Sequence, residues 1–100
     1  MMADVELSKP NEGPPTSIKL GDVVCSKNGR FKGEYFVVLS YDEEYAQIAN
    51  GKSRKSDSPK KKKIKHLHLN VGHSAHIANK LAQGDKVTNT ELRIAIEEFI

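Results

Sequence analysis

Apolar residues are densest near the middle of the chain. Glu34-Tyr-Phe-Val-Val-Leu-Ser-Tyr41 carries the strongest run of β-branched and aromatic residues, the composition of a strand. Both of its faces are apolar: Tyr35, Val37 and Leu39 on one, Phe36 and Val38 on the other. That suits a strand in a tightly curled barrel, where parts of both faces are covered. Before it, Ile18, Leu20, Val23, Val24 and Cys25 make an apolar entry with a turn at Gly21-Asp22, then a short strand. After it, Asp42-Glu43-Glu44 reads as a polar hairpin turn. Tyr45–Ala49 reads as the return strand, with Ala46 and Ile48 on its apolar side. Asn50-Gly51 is a two-residue hairpin signal, so a short strand is expected through Lys52–Lys55. Ser56-Asp-Ser-Pro59 breaks the pattern. Ile64-Lys-His-Leu-His-Leu69 alternates again and reads as a last strand, with Leu67 and Leu69 facing in. Five short strands over residues 18–70 predict a small antiparallel barrel, the arrangement that leaves no open edge.

The two ends differ from this middle. Residues 1–17 show no periodicity and are broken by Pro10, Gly13, Pro14 and Pro15, which predicts a disordered arm. Over residues 71–100 the period becomes helical. His76–Gln83 suits a short helix stopped by Gly84. Thr88-Asn-Thr-Glu91 is a capping box, and Leu92, Ala95, Ile96, Phe99 and Ile100 follow at helical spacing. That stripe is expected to pack on the protein's own core and to cover a barrel opening. The fold class is therefore mainly β: a five-stranded barrel with one or two short C-terminal helices.

Composition narrows the function. The 100 residues are 37% hydrophobic and 6% aromatic, enough for one small core. A single cysteine, Cys25, excludes an internal disulfide framework and fits a reducing compartment. No segment approaches the ~20 apolar residues of a membrane span. The acidic, Pro-rich start lacks the order of a signal peptide, so a soluble cytoplasmic protein is expected. Charge is unevenly placed: residues 52–65 carry a net +7 and the rest of the chain −4. Such a concentrated basic segment attracts polyanions more than the overall charge of +3 suggests.

The stretch Gly21-Asp-Val-Val-Cys-Ser-Lys-Asn-Gly29-Arg-Phe-Lys-Gly33, followed by an apolar strand, resembles the KOW motif. That motif belongs to SH3-like barrels of ribosomal proteins and transcription elongation factors. Pro59-Lys-Lys-Lys-Lys-Ile-Lys-His-Leu-His-Leu69 is similar to the closing strand of the KOW ribosomal proteins of the archaeal and eukaryotic large subunit. The combination most resembles the small bacterial KOW-domain RNA-binding proteins, over residues 18–69 and again from Thr88. Glu34 and Phe36 depart from the pattern, standing where many KOW motifs have a lysine and a third glycine. The resemblance implies an SH3-like barrel that binds RNA, with ribosomal RNA and ribosomal proteins as partners. It implies a translation-associated role with no membrane, cofactor or small-molecule substrate.

The residues support a binding loop on their own terms. Gly29 and Gly33 can adopt positive φ and set Lys27, Arg30 and Lys32 on one rim, where phosphates reach loop amides and charged heads. Lys52, Arg54, Lys55, Lys60, Lys61, Lys62, Lys63 and Lys65, with His66 and His68, form the second basic group. The Lys60–Lys63 run, beside a proline break, is expected to be mobile and to act as diffuse charge. Phe31 is the only aromatic in the loop, which favours structured RNA over stacked single-stranded bases. His66, His68, His73 and His76 have no cysteine or carboxylate close in sequence, and the neighbouring lysines repel cations, so no metal is expected. No catalytic constellation is visible: Cys25 lacks a glycine elbow, and no paired carboxylates stand near a histidine. The competing reading is an SH3-like module that binds a transcription or translation factor. A nuclear-import or acidic-membrane adaptor would rest on the lysine run alone.

Overall fold

The computed structural model describes residues 18–100. The expected arm, residues 1–17, lies outside the described residues. Five strands follow in order: β1 (Asp22–Ser26), β2 (Tyr35–Tyr41), β3 (Tyr45–Ala49), β4 (Lys60–Lys63) and β5 (Leu67–His73). A single 3-10 turn, Ile64–His66, joins β4 to β5. Helices α1 (Ala75–Ala82) and α2 (Asn89–Glu97) complete the chain. The strands form one antiparallel sheet in the order β4-β3-β2-β1-β5. Its ladders leave β4 and β5 as the two edges, so the sheet is not closed by strand pairing. The 3-10 turn is tied to both ends of the sheet. Ile64 N–H donates to Glu44 O at 2.8 Å, and Lys27 N–H donates to His66 O at 2.9 Å.

The double apolar pattern of β2 has a clear cause. Phe36 and Val38 face a cluster with Val24, Ile48, Ala46, Ile64 and Leu67. Val37 faces the other way, into a second cluster with Val23, Ala49, Ile77, Val87, Leu92, Ala95 and Ile96. The curl of the sheet covers the first face and the two helices cover the second. The α2 stripe therefore lies on a sheet face instead of a barrel opening. Only Leu92, Ala95 and Ile96 of that stripe are buried; Phe99 and Ile100, past the helix end, are 37% and 70% exposed. Each fully buried large apolar side chain, such as Leu92 or Ile77, contributes roughly 1.5–3 kcal/mol.

Both helices are capped at their N-termini, α2 as its sequence suggests. Ser74 Oγ accepts the Ile77 N–H at 3.2 Å, and the Thr88–Glu91 capping box is complete. Glu91 also binds α1: Lys80 Nζ lies 2.9 Å from both of its oxygens, and His76 Nε2 2.6 Å from one. Among the described residues, no helix is long and apolar enough to cross a membrane.

Three further expectations are corrected. Residues 52–55 form a loop instead of a strand. Asn50 Oδ1 accepts the N–H groups of Lys52 and Arg54 at 2.9 and 3.0 Å, which folds the loop back on itself. At Gly51, with φ of 78°, the Asn89 carbonyl of α2 lies where a side chain would begin. The fourth strand is instead the lysine run, paired with β3 in the register Ala46↔Lys62 and Ile48↔Lys60, so that run is an ordered edge. The last strand starts at Leu67 and runs on to His73, with Asn70 at φ of 64° where its pairing with β1 shifts register.

Candidate nucleic-acid interface

The loop between β1 and β2 is built by its glycines and anchored by its aromatic. Gly29 and Gly33 have φ of 78° and 86°, a region that side-chain-bearing residues avoid. They permit the bonds that shape the loop: Lys32 N–H to Gly29 O at 3.2 Å, Glu34 N–H to Phe31 O at 2.9 Å, and Gly33 N–H to Ser26 O at 2.9 Å. Phe31 turns inward and packs edge-on against Phe36, with centroids 5.8 Å apart and planes at 77°. The ring is thus a foundation under the loop, which leaves the loop surface to Arg30 and Lys32, both exposed.

The lysine strand divides by strand parity. Lys60 and Lys62 pair with Ile48 and Ala46, core-facing residues, and so point to the inner side of the curled sheet. Being at an edge, they reach out across the loop. Lys60 Nζ sits 5.5 Å from the Phe31 ring centre, on a ring that Arg30 also approaches at 5.9 Å. Lys62 Nζ donates to Asn28 O at 3.0 Å and to Asn28 Oδ1 at 3.1 Å. Lys61 and Lys63 face the other way, 4.6 and 6.0 Å from the Tyr45 ring centre, and Lys63 pairs with Glu44 at 3.5 Å. An inward-pointing lysine on an edge strand also discourages sheet-to-sheet association.

The 3-10 turn that follows β4 adds to this group. Lys27 Nζ donates to Lys65 O at 3.4 Å, beside the backbone bond from Lys27 to His66. His66 is half-buried there; burial, followed by repulsion from Lys65, Lys62, Lys63 and Lys27, pushes its imidazole below the ordinary 6.5. Lys27 and Arg30 of the β1–β2 loop thus meet Lys60, Lys62 and Lys65 of β4 and the 3-10 turn on one rim.

The remaining expected residues are placed differently. Lys52, Arg54 and Lys55 belong to the loop before β4, which is held to α2 by the bond from Ser56 N–H to Asn89 Oδ1 at 2.7 Å. Arg54 Nη1 is spent on Ser58 O at 3.3 Å. This loop meets the end of the glycine loop at Glu34, whose Oε1 accepts from Ser53 Oγ at 3.1 Å and Asn50 Nδ2 at 3.4 Å. Glu34 therefore has a structural use, tying the two loops together. His68 is exposed on β5, opposite Cys25. Asn28, Phe31 and Tyr45, which hold or orient the basic side chains, were not distinguishable in sequence because each acts across segments.

The histidines do not converge. His73 Nδ1 lies 2.8 Å from the buried Asp22, and His76 bonds Glu91, so the fold supplies carboxylates that sequence distance concealed. Among the described residues, no group of three or more His, Cys, Asp or Glu side chains could hold a metal ion. No family model matches this chain, and no curated protein matches it.

Proposed function

We propose that the protein binds structured RNA through the basic rim, as an SH3-like KOW protein of the ribosome or of translation in the cytoplasm. The observation that carries this reading is the meeting of Lys27, Arg30, Lys60, Lys62 and Lys65 on a fixed framework. Like charges gathered on one rim raise the local positive potential and steer a polyanion toward it. Here Phe31 and Asn28 hold them together. The five-stranded antiparallel order, with a 3-10 turn between the last two strands, supports the SH3-like architecture. The inward turn of Phe31 favours phosphate and shape contacts over base stacking. No catalytic step and no cofactor enter this reading.

The test is a salt titration of the full chain against a structured ribosomal-type RNA hairpin. Five phosphate contacts give a log–log salt slope of about −3.5 to −4.5. Binding that ignores salt, or an absence of RNA binding beside salt-insensitive capture of a translation or transcription factor, would replace this reading by the protein-interaction module.

A further inference from the structure

The basic rim borders a cleft of about 390 Å³. Its floor is apolar: Ile64 and Leu67, each 3% exposed, and half-buried Leu69. Lys27 and Lys65, both members of the rim, line it as well. Glu43 and Glu44, from the turn between β2 and β3, complete the lining; this turn meets the start of the 3-10 turn, through the bond from Ile64 N–H to Glu44 O, and Lys27 meets its end, through the bond from Lys27 N–H to His66 O.

We propose that this cleft receives one unpaired guanine of the bound RNA. The inference rests on reading the rim as an RNA surface. The cleft lies in the size range of small-ligand sites, roughly 300–1,000 Å³, and is continuous with the phosphate-binding cations. Its charged lining residues differ in sign, which sets the orientation of a nucleotide. The lysines attract the phosphate and the glutamates repel it, so the base, not the backbone, turns toward the carboxylates. The aliphatic floor takes the face of the base and excludes water from it.

The carboxylates then select among bases. An ionised carboxylate only accepts hydrogen bonds, through two oxygens side by side. The Watson–Crick edge of guanine presents N1–H and N2–H side by side and matches it. Adenine and cytosine place a ring acceptor beside their amino group, and uracil flanks N3–H with two carbonyls. Each of these sets an acceptor against the carboxylate. The turn is rigid enough to hold this choice. Asp42 Oδ1 accepts the N–H groups of Tyr45 at 2.7 Å and Glu44 at 2.8 Å, bonds that hold the Asp42 carboxyl below the usual range. Glu44 is engaged by Lys63 through its side chain and by Ile64 N–H through its carbonyl. Glu43, exposed at the tip, is the carboxylate offered to the base.

The experiment uses the full chain and hairpin RNAs that differ only in one bulged nucleotide: guanine, inosine, adenine, cytosine, uracil or none. Affinities are read by fluorescence anisotropy at one salt concentration. The bulged guanine should bind about tenfold or more tighter than the others, the fold-change of one bidentate contact. Inosine, which lacks the N2 amino group, should lose most of that gain. Glu43→Gln should bring the hairpins together while leaving the salt slope unchanged, which separates base selection from phosphate attraction. Equal affinity for all bulges with a steep salt slope would overturn the inference and leave the RNA reading standing. Absence of binding to any hairpin would overturn both. Methyl NMR shifts at Ile64 and Leu69 that respond to a protein partner and not to RNA would reassign the cleft to that partner.

Discussion

Neutralising two lysines of β4 should weaken RNA binding only when they are the right two. Lys60→Gln/Lys62→Gln and Lys61→Gln/Lys63→Gln remove the same charge from the same four-residue strand. The first pair faces the glycine loop, at Phe31 and Asn28; the second faces Tyr45 and Glu44. Each phosphate contact contributes about 0.7–0.9 to the log–log salt slope, so losing two should flatten it by about 1.4–1.8. Between 50 and 200 mM salt, a fourfold change, the wild type should then lose roughly ninefold more affinity than the Lys60/Lys62 variant. The Lys61/Lys63 variant should shift the slope by less than about 0.5, because Lys63 is already paired with Glu44 and both lysines lie off the rim. The assay is anisotropy of a labelled structured RNA across that salt range, with circular dichroism to show that both variants are folded. Equal flattening by the two pairs would refute the argument. The run would then act as diffuse charge and its parity would carry no meaning.

Three further outcomes are expected. Leu92→Ala opens a cavity in the cluster shared by the helices and the outer sheet face, and should cost about 2–5 kcal/mol in urea unfolding; a loss under about 1 kcal/mol would show that the helices are not part of the core. The Thr88 N–H, Lys80 and His76 pull the Glu91 carboxyl from 4.5 down to about 2, so its stabilisation is present above pH 4.5 and fades as pH falls toward 2. Glu91→Gln should lower stability at neutral pH and flatten that acid limb, and an unchanged limb in acid-unfolding curves would count against the cluster. His66 is held below 6.5 by burial and four lysines, and bound phosphates would relieve the repulsion, so the proposed RNA binding should be accompanied by proton uptake there. Affinity should rise as pH drops below 6.5, and His66→Asn should abolish that rise in anisotropy titrations without altering binding at pH 8.

Local chemistry was legible wherever residues act on their near neighbours. The Thr88–Glu91 box, the positive φ of Gly29 and Gly33, and the Asp42–Glu44 turn each depend on atoms a few residues apart, and the structure places them as their sequences suggest. The β character of Tyr35–Tyr41 was legible for the same reason, since branched and aromatic side chains favour extended backbone. The lysine run departs from the expected mobile segment because its order is not intrinsic. Four lysines carry no strand signal, and they become one only because the backbone of β3 presents a free edge. The expected strand at 52–55 failed for the opposite reason: Asn50 spent its side chain on the loop's own N–H groups.

The number of basic residues, the loop that the glycines bend and the start of the last helix follow from residue order alone. The partners of those residues came only with the tertiary structure. Parity along β4 sends Lys60 and Lys62 to the loop and Lys61 and Lys63 away from it, a division invisible until the register with Ile48 and Ala46 exists. The second face of β2 is covered by helices whose stripe could equally have met another surface. His76 and Glu91, or Lys62 and Asn28, meet across 15 and 34 residues of chain. Propensity and capping act over a few bonds, whereas a binding rim is a sum of contacts between distant segments, and only the packed sheet brings those within hydrogen-bonding reach.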